Sequence, residues 1–217
     1  MISLEEGGDK NVAFIRLYNF NGSAPSLFYK AALGSLLQGG RGMILDLRNN
    51  SGGYLEAAID IAGWFLNRGD IVVKEQFRRG EEKALLANGT GAHRSLHAVV
   101  LVNSGTASAA EILAGALRDI RGVKLIGEKT FGKGSVQELE ILKDGSLVKI
   151  SNAKWLTPQG SVIHKKGLMP DIEVKMPEKT EEPEKKNGVT EDLQLEKAKE
   201  VLRIDMQKTL AKTIKTQ

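Results

Sequence analysis

Residues 98–120, "AVVLVNSGTASAAEILAGALRDI", carry the two patterns that decide the fold. "AVVLVN" is an unbroken apolar run rich in β-branched residues, as expected of a strand buried on both faces. "SGTASAAEILAGALRDI" then opens a helix behind residue types that favour the N-cap. "GVKLIG" at 122–127 supplies a second short apolar strand, so the segment reads as strand, loop, helix, strand.

The same rhythm appears on the N-terminal side. "NVAFIRLYNF" at 11–20 predicts a strand, and a helix follows over about 23–38 with Leu27, Ala31, Leu33, Leu36 and Leu37 on one stripe. "GMILDLR" at 42–48 is another buried strand with "NNSGG" as its exit loop. "YLEAAIDIAGWFLNRG" at 54–69 predicts a helix with Leu55, Ile59, Ala62 and Leu66 at helical spacing and Gly69 as its stop. Such repetition means right-handed βαβ units, a largely parallel sheet and covering helices. Chemistry in such sheets sits at the C-terminal strand ends, where "NNSGG", "NSGTAS" and "GEKTFGKG" converge.

Two hairpins are also expected, "DIVVKEQF" with "EEKALLA", and "SVQELEIL" with "LVKISNAKWLTP" around an Asp144-Gly145 turn. Residues 1–174 read as one core and 175–189 as a flexible charged linker. From 190 to 217 an amphipathic helix is expected, capped by Thr190, with Leu195, Ala198, Leu202, Met206 and Leu210 as its stripe. That stripe must bury against the body of the domain or against a second copy in a homodimer.

Composition narrows the function. The 217 residues carry 31 Lys and Arg against 27 Asp and Glu, interspersed along the chain, which weighs against a nucleic-acid partner. There is no cysteine, and three scattered histidines offer no metal-ligand spacing, so neither a metal nor a cofactor is expected. The N-terminal residues have no apolar segment of signal-peptide type, and no window is long and apolar enough to span a bilayer.

"GEKTFGKGSVQ" at 127–137 comes within one residue of a phosphate-binding loop. That reading needs a hydroxyl at position 134, which is Gly134, and a helix afterwards, where the sequence alternates like a strand. Ser108, at the start of a helix that follows a buried strand, is better placed for chemistry. Its hydroxyl would lie in the positive field of the helix end, and the next amide, that of Ala109, has no partner inside the helix. Ser104, Thr106 and Ser108 could equally be no more than N-cap residues, and the choice of nucleophile among Ser104, Thr106, Ser108 and Ser135 stays open on these grounds.

For a base, His93, His97 and His164 lack an evident orienting carboxylate. Lys133 is the other candidate, because serine–lysine pairs are a variant of the catalytic triad. A base lysine must be neutral, which burial against Phe131 and Val136 would favour. Gln137 would then orient it without adding charge, provided that the chain bends at Gly134. Gly52 and Gly53 can turn backbone amides toward an oxyanion, or simply make a tight turn.

Four blocks carry a resemblance: "LDLRNNSGG" at 45–53, "VLVNSGTASAAEILAGAL" at 100–117, "GEKTFGKGSVQ" at 127–137 and "WLTPQGSVIHKKGLMPDIEV" at 155–174. In this order and spacing they resemble the carboxyl-terminal processing, or tail-specific, proteases. The resemblance implies an α/β sheet-and-helix core related to the Clp protease and crotonase folds. It also implies a serine endopeptidase with Ser108 as nucleophile, Lys133 as general base and Gln137 as its partner. The oxyanion amides fall on Ala109 and on Gly52 or Gly53. The implied partners are protein or peptide substrates with exposed C-terminal tails, and the implied location is the bacterial cell envelope, periplasmic or membrane-associated. The family's usual PDZ domain would precede residue 12, so either a catalytic-core piece or a shortened member is expected. Two other functions compete: a non-catalytic peptide-binding scaffold of the same fold, and an acyl-CoA enzyme of crotonase type, which would not require the Lys133 and Gln137 pair.

Overall fold

The computed structural model describes residues 2–5, 11–176, 185–186, 189–190 and 192–215. In chain order its strands and helices are β1 (Ile2–Glu5), β2 (Val12–Leu17), α1 (Ala24–Leu37), β3 (Gly42–Asp46), α2 (Leu55–Phe65), β4 (Ile71–Phe77), β5 (Glu82–Leu86), β6 (His97–Val102), α3 (Ala109–Arg121), β7 (Lys124–Gly127), β8 (Ser135–Ile141), β9 (Leu147–Leu156) and β10 (Ile172–Glu173). Two short paired strands, β11 (Lys185–Lys186) and β12 (Val189–Thr190), precede α4 (Leu193–Lys215).

The main sheet has the order β1-β2-β3-β6-β7-β10, parallel throughout except for β1 against β2. Its central strands are buried on both faces because side chains alternate across a strand. Met43, Leu45, Val100 and Val102 face the layer of α1, α2 and α3, meeting Phe28, Ile61, Phe65 and Leu113. Ile44, Val99 and Leu101 face the other way, onto Ala198 and Leu202 of α4. The α4 stripe is therefore buried against the domain itself at these residues, while Leu210 near its far end is exposed. No helix among the described residues is long and apolar enough to cross a membrane.

Two helix boundaries and two edge strands differ from the sequence reading. The helix expected to run to Gly69 ends at Phe65, because Leu66 turns to extended backbone and is fully buried. Beyond it, Asn67 and Asp70 close a turn on each other, the Asn67 amide donating to Asp70 Oδ2 at 2.8 Å. The cap of α4 is Asp192 rather than Thr190, since Asp192 Oδ1 accepts from the Leu195 amide at 3.0 Å. Strands β1 and β10, absent from the sequence reading, extend the sheet at its two edges. The linker expected over 175–189 lies largely outside the described residues.

Asp192 also ties α4 to the C-terminal end of the sheet. Fully buried Asp46, the last residue of β3, accepts from Arg16 at 2.7 Å and from Arg48 at 2.8 Å, and Arg48 reaches on to Asp192 at 2.8 Å. Burial opposes the Arg48 charge, but its bonds to Asp46 and Asp192 outweigh this and hold its pKa above the ordinary range.

His93 belongs to the core. It is 2% exposed and lies 6.0 Å from the rings of both Trp64 and Phe65. Neither of its ring nitrogens has a hydrogen-bond partner among the described residues, and burial lowers its pKa. Below about pH 6.5 the unfolded chain therefore takes up a proton that the fold resists, and stability falls as pH falls. Thermal denaturation between pH 7.5 and 5 should show a declining Tm whose slope is reduced in His93→Phe.

Candidate active site

The exit loops of β3 and β6 are stitched together. Asn103 Oδ1 accepts from the Asn49 amide at 2.8 Å, and Asn103 Nδ2 donates to Asn49 Oδ1 at 3.0 Å. Buried Thr106 donates its hydroxyl to the Leu47 carbonyl at 2.8 Å and accepts from the Asn103 amide at 3.0 Å. The Phe131 amide then donates to the Thr106 carbonyl at 3.0 Å, which brings in the exit loop of β7. The three strand ends thus form one cross-linked platform.

Ser108 sits on this platform as the residue before α3, buried, with φ 58° and ψ −123°. A non-glycine residue there is strained by about 1–3 kcal/mol. A serine held in a sharp strand-to-helix turn is also the arrangement that presents a nucleophile at a sheet edge. Gly52 lies directly against it. A Cβ at position 52 would fall 2.6 Å from Ser108 Cβ and 3.0 Å from the Ala109 nitrogen, at a φ of +99°. Only glycine lets the β3 exit loop pass so close to the serine.

Fully buried Glu111, missed in the sequence reading, holds this arrangement. Its Oε2 accepts from the amides of Ser108 at 3.0 Å and Lys133 at 2.9 Å. Its Oε1 accepts from the Gly132 amide at 2.8 Å and from the Thr130 hydroxyl. Because Ser108 N and Lys133 N share one oxygen, they are no more than about 6 Å apart. The capping-box spacing Ser108-x-x-Glu111 is the signal that points to this glutamate, since a Glu three residues after an N-cap serine reaches back to its amide.

On the far side the Lys133 loop rests on residues 163–168. Lys165 N donates to the Gly132 carbonyl at 2.8 Å, and Leu168 N to Thr130 Oγ1 at 2.7 Å. A Cβ at Gly134 would fall 2.5 Å from His164 N. The glycines on either side of Lys133 are therefore explained by backbone crossing beneath them. One expectation is corrected here: the Lys133 side chain is exposed rather than buried. Phe131, expected to wall it in, is 67% exposed, because the packing from 163–168 covers only the backbone of the loop. A bulge in the β8–β9 pairing lies between Val136 and Gln137; the Gln137 side chain lies outside the described residues.

The remaining candidates separate. Thr106 is consumed by its two hydrogen bonds, and Ser104 is exposed on the loop. His97 pairs with Asp205 of α4 at 2.6 Å, at the start of β6 and hence the opposite end of that strand from the serine. His164 adjoins the lysine loop through its backbone. In the glycine turn, the Gly52 amide donates to Asn50 Oδ1 at 2.9 Å, whereas nothing among the described residues accepts from the amides of Gly53 or Ala109.

Residues 11–174, which contain this whole platform, match the model of peptidase family S41. This chain belongs to peptidase family S41. Among S41 relatives, the carboxyl-terminal-processing protease of Synechocystis sp. is 49% identical over 173 residues, 77% of this chain and 39% of that protein. The carboxy-terminal processing protease CtpA of Bacillus subtilis is 40% identical over 170 residues, 78% of this chain and 36% of that protein. Among solved structures, a photosystem II D1 C-terminal processing protease superposes with a TM-score of 0.72 at 38% identity, covering 76% of this chain and 42% of that one. The chain thus spans about two fifths of the length of these S41 relatives.

Proposed function

We propose that this chain is the catalytic core of a C-terminal processing serine peptidase working by a serine–lysine dyad. The observation that carries the reading is the single Glu111 oxygen shared by the amides of Ser108 and Lys133, which fixes the backbone of nucleophile and base together. Ser108 Oγ attacks the scissile carbonyl while Lys133 Nζ takes its proton and passes it to the leaving amine. Water then hydrolyses the acyl-enzyme by the same route in reverse. Gln137 orients the lysine. The Ala109 amide, without a partner at the helix start, is one oxyanion donor. Gly53 supplies the other, a choice favoured because the Gly52 amide is already spent on Asn50. Residues 11–174 form the peptidase unit, and its substrates are unstructured proteins with accessible C-terminal tails, in keeping with the names of its relatives.

The test is incubation with an unstructured protein that ends in an apolar tail, with the products mapped by mass spectrometry. Cleavage near the C-terminus by the parent, and none by Ser108→Ala, is expected. Equal cleavage by both would overturn the reading.

A further inference from the structure

We propose that Asn152 is a positioning residue of the dyad: its carbonyl oxygen accepts a hydrogen bond from the Gln137 carboxamide and so turns the Gln137 oxygen toward Lys133. The proposal rests on the peptidase reading and names what orients the group that orients the lysine.

The pairing of β8 with β9 singles out Asn152. Ala153 is opposite Val136 and Ser151 is opposite Gln137, so Asn152 is the extra residue of the bulge. It is also the first residue of β9 beyond the pairing with β4, which reaches Ala153 opposite Phe77. Asn152 therefore has no register partner in either ladder, and the bulge sets it beside the Gln137 position. Bulges next to active sites re-aim side chains and increase the local twist. Here the twist falls between Lys133 and Gln137, four positions that a flat strand would hold about 13 Å apart.

The side chain supplies a second, independent observation. Asn152 Oδ1 is buried, and nothing among the described residues donates a hydrogen bond to it. A carbonyl oxygen shut off from water without a donor is costly, and such groups are few in a native fold. Arg78 and Arg79, in the loop between β4 and β5, line the same recess as Ser151 and Asn152, yet they leave this oxygen free. Because Oδ1 only accepts, the partner that fits must donate. A glutamine carboxamide has one donating end and one accepting end. With its NH₂ on Asn152, its oxygen is left for Lys133 Nζ to donate to; the reverse orientation sets donor against donor at the lysine. An acceptor beside Gln137 thus decides between the two orientations, and it adds no charge to the site.

Steady-state kinetics on a peptide cleaved by the parent test this, with Tm followed for every variant. Asn152→Ala should lower kcat about tenfold and leave KM within about twofold, the effect of losing one orienting hydrogen bond. Its Tm should hold, since the oxygen removed has no partner in the free fold. Asn152→Asp keeps the acceptor and should recover most of the loss. In a Gln137→Ala background, Asn152→Ala should have no further effect, because the residue acts only through Gln137. The same tenfold loss in that background would overturn the proposal and make Asn152 a structural residue of the bulge. Parental kcat in Asn152→Ala would overturn it directly, as would a change in KM alone, which would give the free oxygen to the substrate. A parent that leaves the peptide uncleaved would overturn the peptidase reading and this proposal with it.

Discussion

Ser108→Ala should lower kcat about 10⁶-fold, leaving the fold intact. The serine is buried and strained, and alanine in its place removes the hydroxyl without enlarging the residue. Binding of a peptide should change little, since ground-state contacts remain. Lys133 discriminates between two ways in which a cation could assist. Lys133→Ala removes both base and charge and should cost about 10³-fold, a typical contribution of general-base catalysis. Lys133→Arg keeps a positive charge that cannot be given up at neutral pH, and should be as inactive as alanine if the lysine acts as a base. Recovery of activity in the arginine variant would mean that the charge, and not proton transfer, is what the site uses. Single-turnover kinetics on a chromogenic peptide separate these outcomes from effects on product release.

Glu111→Ala should lose both stability and activity. The glutamate side chain takes four donors, three of them backbone amides, from segments 108, 130 and 132–133. Stranding buried donors costs about 1–3 kcal/mol each, and water entering the space would recover part of that. A net loss of about 3 kcal/mol, or roughly 10 °C in Tm, is expected for a domain of this size. Glu111→Gln is the sharper probe. It preserves shape but turns one acceptor oxygen into an NH₂ that faces two donors. It should therefore depress kcat more strongly than KM by loosening the register between Ser108 and Lys133. A glutamine variant with parental kcat and a lowered Tm would reduce Glu111 to a structural role.

The central sheet could be read from the sequence because its strands are unbroken apolar runs and its helices keep their stripes; Ile44 and Leu45 face different layers as alternation requires. The convergence of the three glycine- and serine-rich strand exits followed from the parallel topology alone. What stayed hidden depends on long-range contacts. β10 is two residues long and exists through its pairing with β7, and no local pattern marks it. The cap of α4 went to Asp192 because Arg48, 144 positions away, holds that carboxylate in place. Glu111 had a local sign in its capping box, but its bonds to Thr130, Gly132 and Lys133 join segments that only the fold brings together. The exposure of Lys133 is of the same kind. Apolar neighbours in sequence suggested a buried amine, whereas the chain that packs on this loop covers its glycines and not its side chains.

The most direct test of the serine–lysine dyad is the site and rate of phosphonylation by a fluorophosphonate probe, read by peptide mass spectrometry in the parent chain and in Lys133→Ala. The dyad predicts a single adduct on Ser108, formed about 10³-fold more slowly when Lys133 is removed. An adduct on Ser104, Thr106 or Ser135 instead, or an unchanged rate at Ser108 without the lysine, would contradict it.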